Sequence, residues 1–155
     1  MRRANRKVTE LEELLEIING SKVCRVGMVD NGKPYVIPMN FGYQVVDEAI
    51  TIYLHGAQEG RKIEVMKSNS QICIEIDTIK EIVTGENGCN YSCHFESFIG
   101  NGEAVFLDAE KDKVHALDAI MKRQTEQEGF NYDKRVMAQT EIIEIRLTEY
   151  SGKKY

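Results

Sequence analysis

The sequence predicts an antiparallel β-barrel with packed helices, and three observations carry that expectation. Six or so short segments alternate apolar and polar residues with a period of two, as half-buried strands do. The turn Asp30-Asn31-Gly32 separates two β-branched segments, and Asn-Gly is the strongest short-range hairpin signal. The helical segments fall between these strands in no regular βαβ rhythm, which disfavours a parallel sheet. At 155 residues the chain fits one domain, residues 1–155, with one core.

The elements follow in order. Thr9-x-x-Glu12 reads as a capping box that opens a helix with Leu11, Leu14, Leu15 and Ile18 on one face and Gly20 as its stop. Lys22–Val29 and Tyr35–Tyr43 form the hairpin about the Asn-Gly turn. Pro38 cannot donate to a ladder, so the second of these strands belongs at an edge or bulge. Ala49–His55 alternates Ile50, Ile52 and Leu54 against Thr51, Tyr53 and His55. Gly60–Ser68 is a short helix, and Gln71–Asp77 is a strand with Ile72, Ile74 and Ile76 on one face. Lys80–Tyr91 has no convincing period and reads as a loop or ragged edge. Phe95–Leu107 is a long strand in which Gly100 and Gly102 mark a bulge, a bend or a close approach. Lys111–Gln127 is an amphipathic helix carrying Val114, Leu117, Ile120, Met121 and Gln124 on one side, and Glu141–Leu147 is a closing strand.

Composition excludes several function classes. With 42% hydrophobic and 29% charged residues the chain is an ordinary globular one rather than a disordered one. A net charge of -5 speaks against a general nucleic-acid binder, which leaves a basic footprint. The basic residues Arg2-Arg3 and Arg6-Lys7 read as a solvated arm. No apolar run is long enough to span a membrane, and none follows the first basic residues as in a secretory signal. The expected compartment is the cytoplasm, where Cys24, Cys73, Cys89 and Cys93 stay reduced.

The strongest chemical signal is a strand running through His55-Gly56-Ala57-Gln58-Glu59-Gly60-Arg61-Lys62 into a helix. A helix start offers unpaired N–H groups and partial positive charge, both of which favour an anion. Arg61 and Lys62 add fixed cations at the same place. Cations are unfavourable at a helix N-terminus unless something negative is present, so a bound phosphate accounts for them better than chance solvation of an exposed turn. His55 has two readings, a hydrogen-bonded structural histidine or a group that contacts a cofactor and transfers a proton. Cys89-Asn90-Tyr91-Ser92-Cys93-His94 lacks a fourth ligand with zinc spacing and has one residue too many for covalent haem attachment, so no metal is expected.

Several of these stretches together resemble the flavin-nucleotide-binding proteins of the pyridoxamine 5′-phosphate oxidase-like superfamily, most nearly the Nim-type 5-nitroimidazole reductase branch. They are Met1-Arg2-Arg3; Lys22–Val29; Lys33-Pro34-Tyr35-Val36-Ile37-Pro38-Met39-Asn40-Phe41-Gly42-Tyr43; His55-Gly56-Ala57 through Gly60-Arg61-Lys62; and Cys89 followed by Phe95–Gly102. The resemblance implies an FMN-binding split β-barrel, a homodimer with the flavin at the subunit interface. By position, Arg61 and Lys62 would hold the phosphate and Pro38, Met39, Asn40 and Phe41 would line the isoalloxazine ring. His55, Gly56, Ala57 and Gly60 would continue that wall, and Ser97 would face the site. Phe95 and Phe98 stand near Ser97 where the family usually carries a tyrosine and a valine. The expected function is an FMN-dependent oxidoreductase reducing a small aromatic compound, a nitroimidazole if the branch holds, with His55 as proton donor. The rival is a carrier or sensor module that holds flavin or haem without dedicated turnover.

Overall fold

The computed structural model describes residues 4–155. The opening Met1-Arg2-Arg3, part of both the basic arm and the resemblance, lies outside the described residues. Strands β1 (Lys7–Val8), β2 (Val23–Asp30), β3 (Lys33–Asn40), β4 (Gly42–Val46), β5 (Ala49–Ala57), β6 (Gln71–Val83), β7 (Ser92–Phe106) and β8 (Thr140–Lys154) are joined by helices α1 (Leu11–Asn19), α2 (Arg61–Ser68), α3 (Glu110–Thr125) and α4 (Lys134–Ala138). Every pairing is antiparallel, in the order β3-β2-β6-β7-β8-β5-β4, with β1 added to the far end of β8. The terminal strands β3 and β4 are consecutive in the chain, joined through Phe41, yet they do not pair. The barrel is therefore split along that line, with β3 as one free edge, as Pro38 requires.

One face of nearly every strand fills the interior. Val26, Ile52, Leu54, Ile74, Ile76, Phe98, Ile143 and Ile145 are all wholly buried there. Helix α1 adds Leu14, Ile17 and Ile18 to the same core and lies against Gly152 near the end of β8. A second, smaller core forms where α3 covers the outside of β5, from Tyr53, Ala116, Ile120 and Ile142. Tyr53 is thus buried on the face that alternation assigned to polar residues, and His55, two residues on, emerges beyond the helix.

Several expectations are corrected. The Thr9 capping box does not form, because α1 starts at Leu11 with Glu10 as an N-cap that makes no side-chain bond. The strand expected over Tyr35–Tyr43 is two strands, with Phe41 buried at the corner between them. The stretch Lys80–Tyr91 is not all loop: β6 continues to Val83 past a bulge between Ile79 and Glu81, pairing with Ser92–His94. Strand β8 runs well past Leu147 to Lys154, because Thr148 bulges out and lets β8 stay paired with β7. A Cβ on Gly102 would collide with the Arg146 carbonyl at this bulge, so the close approach expected there is real. Helix α4 was not anticipated; Asp133 caps it by accepting from the Arg135 and Val136 N–H groups.

Candidate functional site

The site forms where β5 leaves the barrel and turns into α2. Gly60 is the N-cap, at φ 120°, a conformation that side chains resist. Its carbonyl accepts from the N–H groups of Ile63 at 2.9 Å and Glu64 at 3.2 Å, and no side chain caps the helix. The N–H groups of Arg61 and Lys62 are left at an open helix start, where partial positive charge collects.

The two cations leave this point in different directions. Lys62 lies back along β5, so close that a Cβ on Gly56 would come 2.8 Å from its Cε and 3.3 Å from its Nζ. Glycine at 56 is the shelf on which the lysine rests. Lys62 makes no ion pair among the described residues. Arg61 turns instead to the β2–β3 hairpin, where Nε donates to Asp30 Oδ2 at 2.9 Å with Nη2 in ion-pair contact with the same oxygen at 2.8 Å, and its guanidinium lies 4.2 Å over the Tyr35 ring. Arg61 and Lys62 therefore flank the helix start, one toward β3 and the other toward β5, on the two sides of the split.

His55 stands exposed on β5, next to Gly56. Partial desolvation, and then the charge of Lys62, hold its pKa below the ordinary histidine value. Both causes favour the uncharged imidazole.

The remaining candidates are placed as follows. On β3, Pro38 and Asn40 project outward while Met39 is half-buried against the core. Asn40 Nδ2 donates to Gln124 Oε1 at 3.0 Å and the Lys22 carbonyl at 3.3 Å. Phe41 is wholly buried, so only its backbone can face a ligand. Ala57 is exposed at the end of β5. Ser97 on β7 shares the outer face with Pro38 but stands three strands away in the sheet, about 14 Å. Arg25 fills the ground between them and pairs with both Glu75 and Asp77. The chain thus brings together β3, His55–Ala57 and Gly60–Lys62, and does not bring Ser97 to them.

A separate cleft of about 910 Å³ lies between β4 and α3, walled by Tyr43, Gln44, His115, Asp118, Lys122 and Arg123. Sequence reasoning missed it, since these residues read as the solvated side of a helix and an edge strand. Its polar groups are largely committed to one another. Tyr43 donates to Asn19, Tyr132 to Asp118, and Gln44 Oε1 accepts from both Tyr53 and His115. Lys122 pairs with Glu128, and Arg123 donates to the carbonyls of Ile18, Asn19 and Ser21. No cation there is as free as Lys62. Among the described residues no group of three His, Cys, Asp or Glu side chains is placed to hold a metal, and no helix is long and apolar enough to cross a membrane.

The family model for pyridoxamine 5′-phosphate oxidase matches residues 10–154. Among solved structures, a candidate 5-nitroimidazole antibiotic resistance protein from Bacteroides thetaiotaomicron is 33% identical, with a TM-score of 0.84 over 96% of this chain and 86% of that one. The flavocytochrome Anf3 from Azotobacter vinelandii shares the fold at 22% identity, with a TM-score of 0.82 over 100% of this chain and 72% of the other. An FAD- and haem-binding protein from Mycobacterium smegmatis does so at 18% identity, with a TM-score of 0.81 over 96% and 73%. No curated protein matches the sequence.

Proposed function

Because this chain belongs to the pyridoxamine 5′-phosphate oxidase family, we propose that it is a cytoplasmic FMN-dependent oxidoreductase acting on a small aromatic compound of the nitroimidazole type. The observation that carries this reading is the uncapped start of α2, flanked by Lys62 on the β5 side and Arg61 on the β3 side. Backbone N–H groups and two cations at one point suit a phosphate. From Tyr35 to Pro38 the edge of β3 runs about 10 Å, the order of length of a ribityl chain with its phosphate. A ring carried on that chain would lie at Pro38–Asn40, across the split from His55.

A monophosphate suits this ground better than a dinucleotide. Past Arg61 the surface holds a hollow of only about 200 Å³, with Asp30 and Glu64 in its wall. A second phosphate there would meet like charge. The substrate class is supported by the 33%-identical Bacteroides protein.

A homodimer follows from the same reading. No protomer brings its own Ser97 to the ring, but the face carrying Pro38, Val36 and Ile99 is open, with Val36 and Ile99 59% and 48% exposed. A second copy on that face would supply the missing wall.

When bound, the flavin supplies the electron-transfer chemistry; the protein supplies binding, orientation and a proton path. Lys62 and the α2 N–H groups would hold the phosphate, β3 would orient the ring, and His55 would relay a proton at an imidazole nitrogen. Reduction of a nitro group to a nitroso group takes two electrons and two protons and releases water, so a nearby protonatable group is required. The test is anaerobic reduction of a 5-nitroimidazole by the FMN-loaded protein with NADH, NADPH or dithionite as donor, followed by loss of nitro absorbance. Turnover is expected, falling about 10²- to 10⁴-fold in His55→Ala with FMN still bound. A reduced holoprotein that passes no electrons to the nitroimidazole would leave the carrier reading in its place.

A further inference from the structure

Arg61 is an odd residue for its position. It opens a helix, where a cation opposes the macrodipole, and it is 59% exposed. An ion pair this exposed contributes little to stability, about 0–1 kcal/mol. Yet its guanidinium is held on two sides: Nε and Nη2 on a single oxygen of Asp30, and its flat face over Tyr35. Both holders are themselves anchored. The Asp30 side chain is only 21% exposed, and Tyr35 is half-buried against the barrel core. One of the five guanidinium N–H groups, that on Nε, is donated to Asp30, which leaves the four on Nη1 and Nη2 to donate elsewhere.

We propose that Asp30 and Tyr35 are positioning residues that hold the Arg61 guanidinium on the β3 side of the split, so that its remaining N–H groups form the second cationic wall of the anion site. The inference rests on the phosphate-site reading above. A free arginine would lose rotamer entropy on meeting a phosphate; one already stacked and paired loses less. Lys62, resting on Gly56, is the equivalent preset cation on the other side. The anion recognised is a phosphate monoester, and the effect belongs to the phosphate alone.

Titration of the flavin-free full chain with FMN and with riboflavin separates the phosphate from the ring, using flavin fluorescence as the readout. Asp30→Ala is expected to weaken FMN about 3- to 10-fold and leave riboflavin unchanged. Asp30→Asn, which suits the turn and keeps an acceptor, should fall between Asp30→Ala and the parent. Tyr35→Leu should behave like Asp30→Ala. In an Arg61→Ala background, Asp30→Ala should add nothing, because the residue it positions is gone. Equal weakening of FMN and riboflavin would mean a merely structural hairpin contact and would overturn the proposal. Unchanged or tighter FMN binding would also overturn it, by showing Asp30 to be a competitor for Arg61. If Arg61→Ala itself leaves FMN binding intact, the failure lies with Arg61 as a phosphate ligand and not with its positioning.

Discussion

Replacement of Lys62 by alanine is expected to weaken FMN binding by about 10- to 150-fold, the range set by a charge-assisted hydrogen bond of about 1.5–3 kcal/mol. Riboflavin binding should not change. Three features concentrate the effect on this residue. It stands at the second position of an uncapped helix, it makes no ion pair among the described residues, and its stem is seated on Gly56. Arg61 shares its charge with Asp30, so Arg61→Ala should cost less than Lys62→Ala. The same substitution removes a charge that holds the His55 pKa down. His55 in the variant should therefore titrate at higher pH than in the parent, a shift that the imidazole proton resonances report. An FMN affinity that survives Lys62→Ala would mean that the phosphate is held elsewhere.

Phe98→Ala should cost about 3–5 kcal/mol of folding stability, read as a lower urea midpoint. Phe98 is wholly buried in the middle of β7, where three of its surroundings leave no room for collapse. Its ring stacks on Tyr150 at 6.1 Å, and a Cβ on the neighbouring Gly100 would already come 3.1 Å from it. Leu147 would meet that same Cβ at 2.8 Å. Strands β6, β7 and β8 form the longest ladders in the barrel, so the cavity would open where the sheet is most tightly tied. Against a typical total of about 5–15 kcal/mol, the variant should sit close to unfolding. A loss below about 1 kcal/mol would show that the interior repacks, and that the barrel is less rigid than its ladders indicate.

The parts of the fold legible in the sequence were those with a local cause. Ile50, Ile52 and Leu54 alternate because one face of β5 fills the barrel, and Asn31-Gly32 marks its hairpin with positive φ at both residues. What was hidden depended on distant partners. The pairing of Ile82 and Val83 with Cys93 and Ser92 extends β6 through residues that show no period of their own. Tyr53 looked solvent-facing until α3, some sixty residues later, covered it. Phe41 sits inside a motif that suggested a ring contact, yet the corner between β3 and β4 turns its side chain into the core.

The candidate site divides in the same way. His55–Lys62 is contiguous, and the strand, the glycines and the cations could be read together. That Arg61 would turn to Asp30, thirty-one residues earlier, had no local signal. Ser97 was assigned by resemblance, and the sheet order places it three strands from Pro38. Sequence position alone does not distinguish a wall supplied by the same chain from one supplied by a second copy.

In the proposed function the split of this barrel holds FMN, with its phosphate at the start of α2. The most direct test is the visible spectrum of the freshly purified protein, with identification of the chromophore released on denaturation. A flavin spectrum is expected, with FMN in the supernatant at about one per chain at saturation. A Soret band, release of FAD, or a colourless protein that takes up no added FMN would contradict it.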